Sequence, residues 1–143
     1  MTIIDRYPYW IEQNAQGEFI ANFPDFPDFK VSALSIAKLL DQLHEAMLTY
    51  LEEWVKDHPI PEPSALHPGE ETLFLRPTLV LKLRLQKAVR EQNISGAELA
   101  RRLGCLPQEA VRILKISHPT KIDTMVTALE AVGLRVSLTD ERI

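Results

Sequence analysis

Three polar side chains in the second half of the chain could read the edges of DNA bases. Gln108, Arg112 and Lys115 follow one another at helical spacing, so a helix would place them on one side. The forked donors of glutamine and arginine suit adenine and guanine edges, and a lysine ammonium suits a phosphate. The pattern therefore indicates nucleic-acid recognition, and the plainer alternative is a helical hairpin with a solvated basic face.

The residues around these side chains predict two short helices joined by a tight turn. Ser95 can cap a first helix whose inner face carries Leu99 and Leu103. Gly104 can adopt the left-handed backbone that ends such a helix, and Pro107 suits the first turn of the next. This arrangement is a helix-turn-helix, the unit that places its second helix in the DNA major groove.

Similar signals predict the rest of this helical unit. The apolar residues that can face inward on the second helix are Val111, Ile113 and Leu114. Thr120, with Asp123 three residues later, resembles a capping box for a helix over 121–131 that Gly133 ends. Alternation from Leu134 to Leu138 predicts a short terminal strand, whose exposed edge could pair with a second copy of the chain.

The leucine-rich segment before this unit is ambiguous. Alternating leucines from Leu79 to Leu85 would fit a strand, but they also fit one face of a helix. We expect a helix from Thr78 to about Gln92, because Pro77 breaks the preceding strand and Thr78 can cap.

Charge divides the chain into two unlike halves. Residues 1–75 carry 4 Lys or Arg against 13 Asp or Glu, a balance of -9, and residues 76–143 carry 12 against 7, a balance of +5. A basic half around a helix-turn-helix favours binding to a polyanion. The same duplex would repel the acidic half, which must serve another partner.

The acidic half reads as a small sheet with one helix. Alternating apolar residues predict strands over 3–12 and 18–23, joined by a turn at Asn14–Gly17. Two prolines and two aspartates interleave with phenylalanines from Phe23 to Phe29, which predicts a stiff loop before a strand over 30–34.

A long helix follows, with Ser35 as its cap and an end by His58, before Pro59. Its predicted apolar stripe consists of Ile36, Leu40, Leu43, Met47, Leu51 and Trp54. A proline-rich connection then leads to a strand over 72–75. The predicted fold class is α+β: a βββαβ domain at 1–76, then an all-α helix-turn-helix domain at 77–143 with a short C-terminal strand.

Several function classes find no support in the residue pattern. Cys105 is the single cysteine, so an intramolecular disulfide is impossible. The four histidines show no metal-ligand spacing, and the aspartates of the first half form no recognisable catalytic constellation. We expect a cytoplasmic protein without membrane span, signal peptide, cofactor, metal or enzymatic activity.

Two regions resemble one known family. The stretch from Glu98 to Gly104, with His118 to Asp123, is similar to the lambda-repressor-like helix-turn-helix of HicB-type antitoxins. The strand pair, the loop from Phe23 to Pro27, the long helix and the exit from Ile60 to Ser64 resemble the HicB antitoxin domain, which has a partial ribonuclease H-like fold. The resemblance spans about Tyr7 to Leu138.

The resemblance implies an antitoxin with two partners. Its N-terminal domain would bind and block a small basic mRNA-cleaving toxin of the HicA type, and its C-terminal domain would bind operator double-stranded DNA as a homodimer or higher homo-oligomer and repress its operon. Expected toxin contacts are Asp25, Phe26, Asp28 and Phe29. Expected DNA contacts are Ser95, Gln108, Val111, Arg112, Lys115, His118, Thr120 and Lys121.

The division of roles between the two domains predicts the effect of a truncation, and one alternative function stays open. Removal of residues 1–75 should abolish toxin neutralisation and leave operator binding largely intact. The alternative function is a stand-alone transcription regulator whose N-terminal domain senses a small molecule.

Overall fold

A computed structural model describes residues 3–143 and confirms the α+β class. Its elements are β1 (Arg6–Gln13), β2 (Phe19–Phe23), β3 (Phe26–Ala33), α1 (Ile36–Asp57), β4 (Glu71–Phe74), α2 (Pro77–Glu91), α3 (Gly96–Leu103), α4 (Pro107–Leu114) and α5 (Ile122–Ala131). The strands form one antiparallel sheet in the order β3-β2-β1-β4. We call the sheet with α1 the N-terminal unit, and α2 to α5 the C-terminal unit.

The predicted turn between β1 and β2 is confirmed. The Asn14 side-chain oxygen accepts the backbone N–H groups of Gln16 at 3.0 Å and Glu18 at 2.9 Å. Such a side chain mimics a backbone turn and fixes the hairpin register.

The predicted stiff loop over 24–29 is wrong beyond Asp25. Pro24 and Asp25 form a tight turn, Phe23 pairs with Phe26, and β3 continues from there. The register shifts between Asn22, which pairs with Lys30, and Phe23, which pairs with Phe26, so the ladder of the hairpin is irregular at this point. Since β3 lies at the sheet edge, its proline at position 27 need not donate to a ladder on its outer side.

Helix α1 begins and ends where the sequence predicts, and its buried row matches the predicted stripe at Leu43, Met47 and Leu51 but differs from it at both ends. The Ser35 hydroxyl accepts the Lys38 N–H at 3.2 Å, and the helix stops at Asp57. Ile36 and Leu40, predicted to be inside, are 46% and 47% exposed. The buried row is Leu39, Leu43, Met47, Leu51 and Val55. Because Leu39 and Leu40 are both apolar, the sequence does not determine which side of the first two turns of α1 faces the sheet.

Helix α2 explains the alternating leucines. Successive residues of a helix turn by about 100°, so residues two apart face opposite sides and residues four apart share one side. Leu79 and Leu83 lie in the core of the N-terminal unit, whereas Leu81 and Leu85 lie in the core of the C-terminal unit. The predicted cap at Thr78 is wrong, because Arg76 precedes the helix and Pro77 occupies its first turn.

The predicted C-terminal strand is also wrong. Residues 134–143 have no regular secondary structure in the described chain. Leu134 and Val136 pack against the helical core, and Arg6 of β1 donates to the Glu141 carboxylate at 2.9 Å. The alternation therefore reflects packing on helices, and pairing with a second copy through such a strand loses its structural basis.

Candidate nucleic-acid and partner interfaces

The turn between α3 and α4 forms as the sequence predicts. The Ser95 hydroxyl accepts the Glu98 N–H at 3.1 Å, and Gly104 has a left-handed φ of 67°. Leu99 and Ala100 are buried under the crossing of the two helices. These caps fix the short helices at both sides of the turn, and Pro107 then starts α4.

The outer face of α4 is polar and open to solvent. Gln108, Arg112 and Lys115 are all exposed. Val111 is 59% exposed, so the prediction that it faces inward is wrong, and its role as a DNA contact stays a prediction. The inner side consists of Ala110, fully buried, with Ile113 and Leu114 partly buried.

The other predicted DNA contacts around this face differ in their exposure to solvent. Ser95 and Lys121 are exposed, and His118 is half-buried. Thr120 does not cap α5 as predicted, because the helix starts after Lys121 without a side-chain cap within the described residues. The Thr120 hydroxyl instead accepts the Lys82 ammonium at 2.7 Å, so it acts inside the fold.

Lys82 is a functional candidate that sequence reasoning missed. It is 1% exposed, and its ammonium donates to the backbone oxygens of Arg112 at 3.0 Å and Ile113 at 2.7 Å as well as to Thr120. Three donors thus meet three acceptors. Burial lowers the pKa of Lys82 to about 8, against the Glu52 charge, which raises it. The sequence did contain a signal for this residue. A single lysine stands between four leucines, in a helix that is buried on two sides.

Two of the predicted toxin contacts are buried. Phe26 is completely buried, which corrects its assignment as a contact residue, and Phe29 keeps only 7% of its surface exposed. Phe26 packs edge-on against Tyr7, and Phe29 lies 4.5 Å from Tyr50 between ring centroids. These rings hold the β2–β3 hairpin on α1, so their role is packing.

The two aspartates of the same segment have different roles. The Asp25 carboxylate accepts the Ser64 backbone N–H at 3.1 Å and the Ser64 hydroxyl at 2.5 Å, which ties the proline-rich connection to the hairpin. Asp28 is exposed. Of the predicted contact set, Asp28 alone presents its side chain fully to solvent among the described residues.

A shallow groove between β3 and α1 lies beside Asp28. Phe29 and Tyr50 are among the residues that line it, together with the exposed carboxylates of Asp41 and Glu45 on α1. Burial and then the charge of Asp28 raise the pKa of Tyr50, although Asp28 does not itself line the groove. An aromatic floor beside two carboxylates of α1 suits the stem and head of a lysine or arginine side chain.

Other classes of site find no support within residues 3–143. That part of the chain holds no group of three or more His, Cys, Asp or Glu side chains able to bind a metal ion. None of its helices is both long and apolar enough to cross a bilayer.

Known relatives of the chain are bacterial antitoxins. The antitoxin HicB of Escherichia coli strain K12 is 30% identical over 134 residues, which cover 93% of the chain and 97% of the relative. Antitoxin HicB 2 of Photorhabdus laumondii is 34% identical over 134 residues, covering 93% and 94%. No family model matches the chain. The coverage and identity of these relatives show that the chain belongs to the HicB antitoxin family.

A second paralogue is consistent with this assignment. Antitoxin HicB 1 of Photorhabdus laumondii is 28% identical over 139 residues, which cover 95% of the chain and 87% of the relative. The similarity thus extends through both units rather than through one of them.

Proposed function

We propose that the chain is an antitoxin that neutralises a small mRNA-cleaving toxin of the HicA type with its N-terminal unit and represses its own operon by binding operator DNA with its C-terminal unit. The observation that carries this proposal is the similarity to HicB antitoxins over 93% of the chain. Both units are included in that similarity, so both activities are proposed together.

In the C-terminal unit, α3 and α4 act as a helix-turn-helix. Gln108, Val111 and Arg112 would face base edges, and Lys115 would hold a phosphate. Ser95, His118 and Lys121 would contact the backbone beside them. Thr120 belongs to the interior, where it helps to place α4.

Operator binding would use a homodimer or higher homo-oligomer. A single α4 of eight residues reads only a few base pairs, and two-fold symmetric repressors gain specificity from paired half-sites. The ribonuclease H-like classification of the N-terminal unit belongs to the same proposal, and because its aspartates form no recognisable catalytic constellation, the fold would serve as a scaffold.

In the N-terminal unit, the groove between β3 and α1 would hold the toxin. A toxin that binds RNA must carry basic side chains near its active site, and the groove offers Asp41 and Glu45 to meet them, with the exposed Asp28 next to Phe29 in the chain. Occupation of those basic side chains would exclude mRNA, which is the simplest form of inhibition.

Charge reversal in the groove tests the toxin half of the proposal. The full chain is co-expressed with the small basic protein encoded beside it, and co-purification and inhibition of RNA cleavage are measured. The double variant Asp41→Lys/Glu45→Lys should lose most of its inhibition, whereas Asp57→Lys/Glu71→Lys, with the same change in charge at exposed positions elsewhere, should keep it.

Three outcomes would contradict the proposal. Absence of a toxic neighbour, combined with operator binding that responds to a small metabolite, would favour the stand-alone regulator. Equal loss in both double variants would indicate long-range attraction rather than the groove. Unchanged inhibition in Asp41→Lys/Glu45→Lys would place the toxin on another surface.

A further inference from the structure

The last turn of α4 is held by the C-terminal unit through α2. Lys82 binds the backbone oxygens of Arg112 and Ile113, and the Gln86 amide donates to that of Leu114. These are carbonyls of the last turn, which a helix leaves without internal partners. Side chains of α2 therefore complete the C-terminal end of α4.

The two residues that follow the end of α4 by one position, Ile116 and Ser117, are held by the N-terminal unit. The Ser117 backbone N–H donates to the Glu52 carboxylate of α1 at 2.5 Å. Ile116, next to it, is 3% exposed and lies in the core of the N-terminal unit with Leu79 and Leu83. Residues 116 and 117 thus connect the end of α4 directly to the opposite half of the molecule.

Helix α4 packs on α3, α2 and α5 through a narrow inner side. It has eight residues, and among them Ala110 alone is fully buried. At its first residue, Pro107, the described chain provides no side-chain cap. A short helix with so small a buried side depends on the groups that hold its ends.

We propose that Glu52 is a positioning residue for DNA recognition, so that the N-terminal unit sets the direction of α4. This inference rests on the proposed operator binding through α4. Base readout needs side chains within hydrogen-bond reach of base edges, and a small rotation of α4 removes that reach. Contact with phosphates tolerates the rotation better, because charge attraction acts over longer distances.

The inference reverses one expectation drawn from the sequence. A C-terminal half without residues 1–75 would lose Glu52 and would expose Ile116, Leu79 and Leu83 to water. Such a fragment is therefore expected to lose operator discrimination rather than keep it.

The test uses the full chain with three substitutions. Glu52→Ala removes the acceptor for the Ser117 N–H, Glu52→Gln keeps an oxygen at the same reach, and Glu53→Ala is the control for charge, since Glu53 is exposed and pairs with Lys56. Hydrogen exchange of the Ser117 amide is measured in the free protein. Binding is measured to the duplex immediately upstream of the chain's own reading frame and to a scrambled duplex.

Glu52→Ala should speed Ser117 exchange and weaken binding to the upstream duplex about tenfold, or about 1.4 kcal/mol. Binding to the scrambled duplex, toxin inhibition and the thermal unfolding midpoint should stay near those of Glu53→Ala. Glu52→Gln should recover most of the discrimination. Recovery by the conservative variant would separate positioning from a general loss of folding.

Other results would overturn the inference. Faster exchange with undiminished discrimination would show that the contact exists but does not position α4. Equal weakening on both duplexes would show a purely electrostatic or folding effect. If the unsubstituted chain fails to distinguish the two duplexes, the proposed operator function fails, and slow Ser117 exchange in Glu52→Ala would independently reject the role of Glu52 in holding α4.

Discussion

The outer face of α4 and the segment from Phe23 to Phe29 were both expected to bind partners. The two regions differ in how far their side chains are exposed to solvent. On α4 the polar side chains are exposed, whereas on the hairpin the phenylalanines are buried and one aspartate is occupied by Ser64. The difference lies in periodicity. A helix repeats every 3.6 residues, so the spacing of polar residues such as Gln108, Arg112 and Lys115 indicates which side faces outward.

The hairpin has no such regularity. Alternation in a strand has a period of two, and one bulge sends every later side chain to the other face. The register of this hairpin shifts between Asn22 and Phe23, next to the Pro24–Asp25 turn. A segment rich in phenylalanine and aspartate is therefore weak support for a binding surface until its register is known.

The strongest test of this contrast is Phe26→Ala. Truncation of a completely buried ring should lower the free energy of unfolding by about 3–5 kcal/mol. Urea unfolding of the full chain measures this, with Asp28→Ala as the control that should change stability little. A Phe26→Ala protein with unchanged stability and lost toxin binding would restore the ring as a contact residue.

On the other side of the comparison, Arg112→Ala should weaken binding to the upstream duplex by about 1–3 kcal/mol and relax base preference. Its side chain is exposed, so the folded structure should not change. Titrations against cognate and scrambled duplexes measure the effect, and Lys38→Ala, an exposed cation on α1, controls for charge. Equal losses on both duplexes would reassign Arg112 to phosphate contact.

A smaller effect is expected for Asp25→Ala. Loss of the bonds to Ser64 should reduce stability by about 1 kcal/mol, because a partly exposed charged hydrogen bond contributes modestly. Toxin affinity, measured by calorimetry, should stay unchanged, in contrast to Asp28→Ala, which should lower it. A toxin effect as large for Asp25 as for Asp28 would show that both carboxylates face the partner.

The smallest effect concerns the junction of the two units and depends on pH. The His44 Nε2 atom accepts the Arg76 N–H at 2.8 Å, which requires a neutral ring. Burial and then the Arg76 charge lower the pKa of His44, while Glu45 opposes them. The folded chain thus binds fewer protons here than the unfolded chain, and this stabilisation is present above the ordinary histidine pKa of about 6.5.

As the pH falls through the lowered pKa of His44, that contribution is lost. The thermal midpoint should therefore decline on mild acidification, and His44→Gln should flatten the decline. His67→Gln, at an exposed position, serves as the control and should leave the decline as it is. An identical decline in all three proteins would assign the pH dependence to other groups.

Much of the architecture was accessible from the sequence because it depends on local chemistry. Ser35, Ser95 and Gly104 cap helices through side-chain or backbone geometry that adjacent residues determine. The buried face of α1 was less accessible, because apolar residues at 36, 39 and 40 allow two rotations. Only contact with a twisted sheet selects one of them.

The candidate sites depended still more on distant contacts. The groove between β3 and α1 joins residues far apart in the chain, and neither Asp41 nor Glu45 stands in a recognisable motif. The link from Glu52 to Ser117 spans 65 positions. No periodicity predicts such a pair, since it arises from how two packed units meet.

The length of helix α2 matters to the fold as much as its amino-acid sequence does. Leu79 and Leu83 serve one core and Leu81 and Leu85 the other, so an insertion of one residue after Leu81 would rotate everything beyond it by about 100°. Lys82 would then swing away from the end of α4. The acidic and basic halves would each retain their own sequence yet lose their mutual orientation, so length variation in this helix would be tolerated far less than substitution.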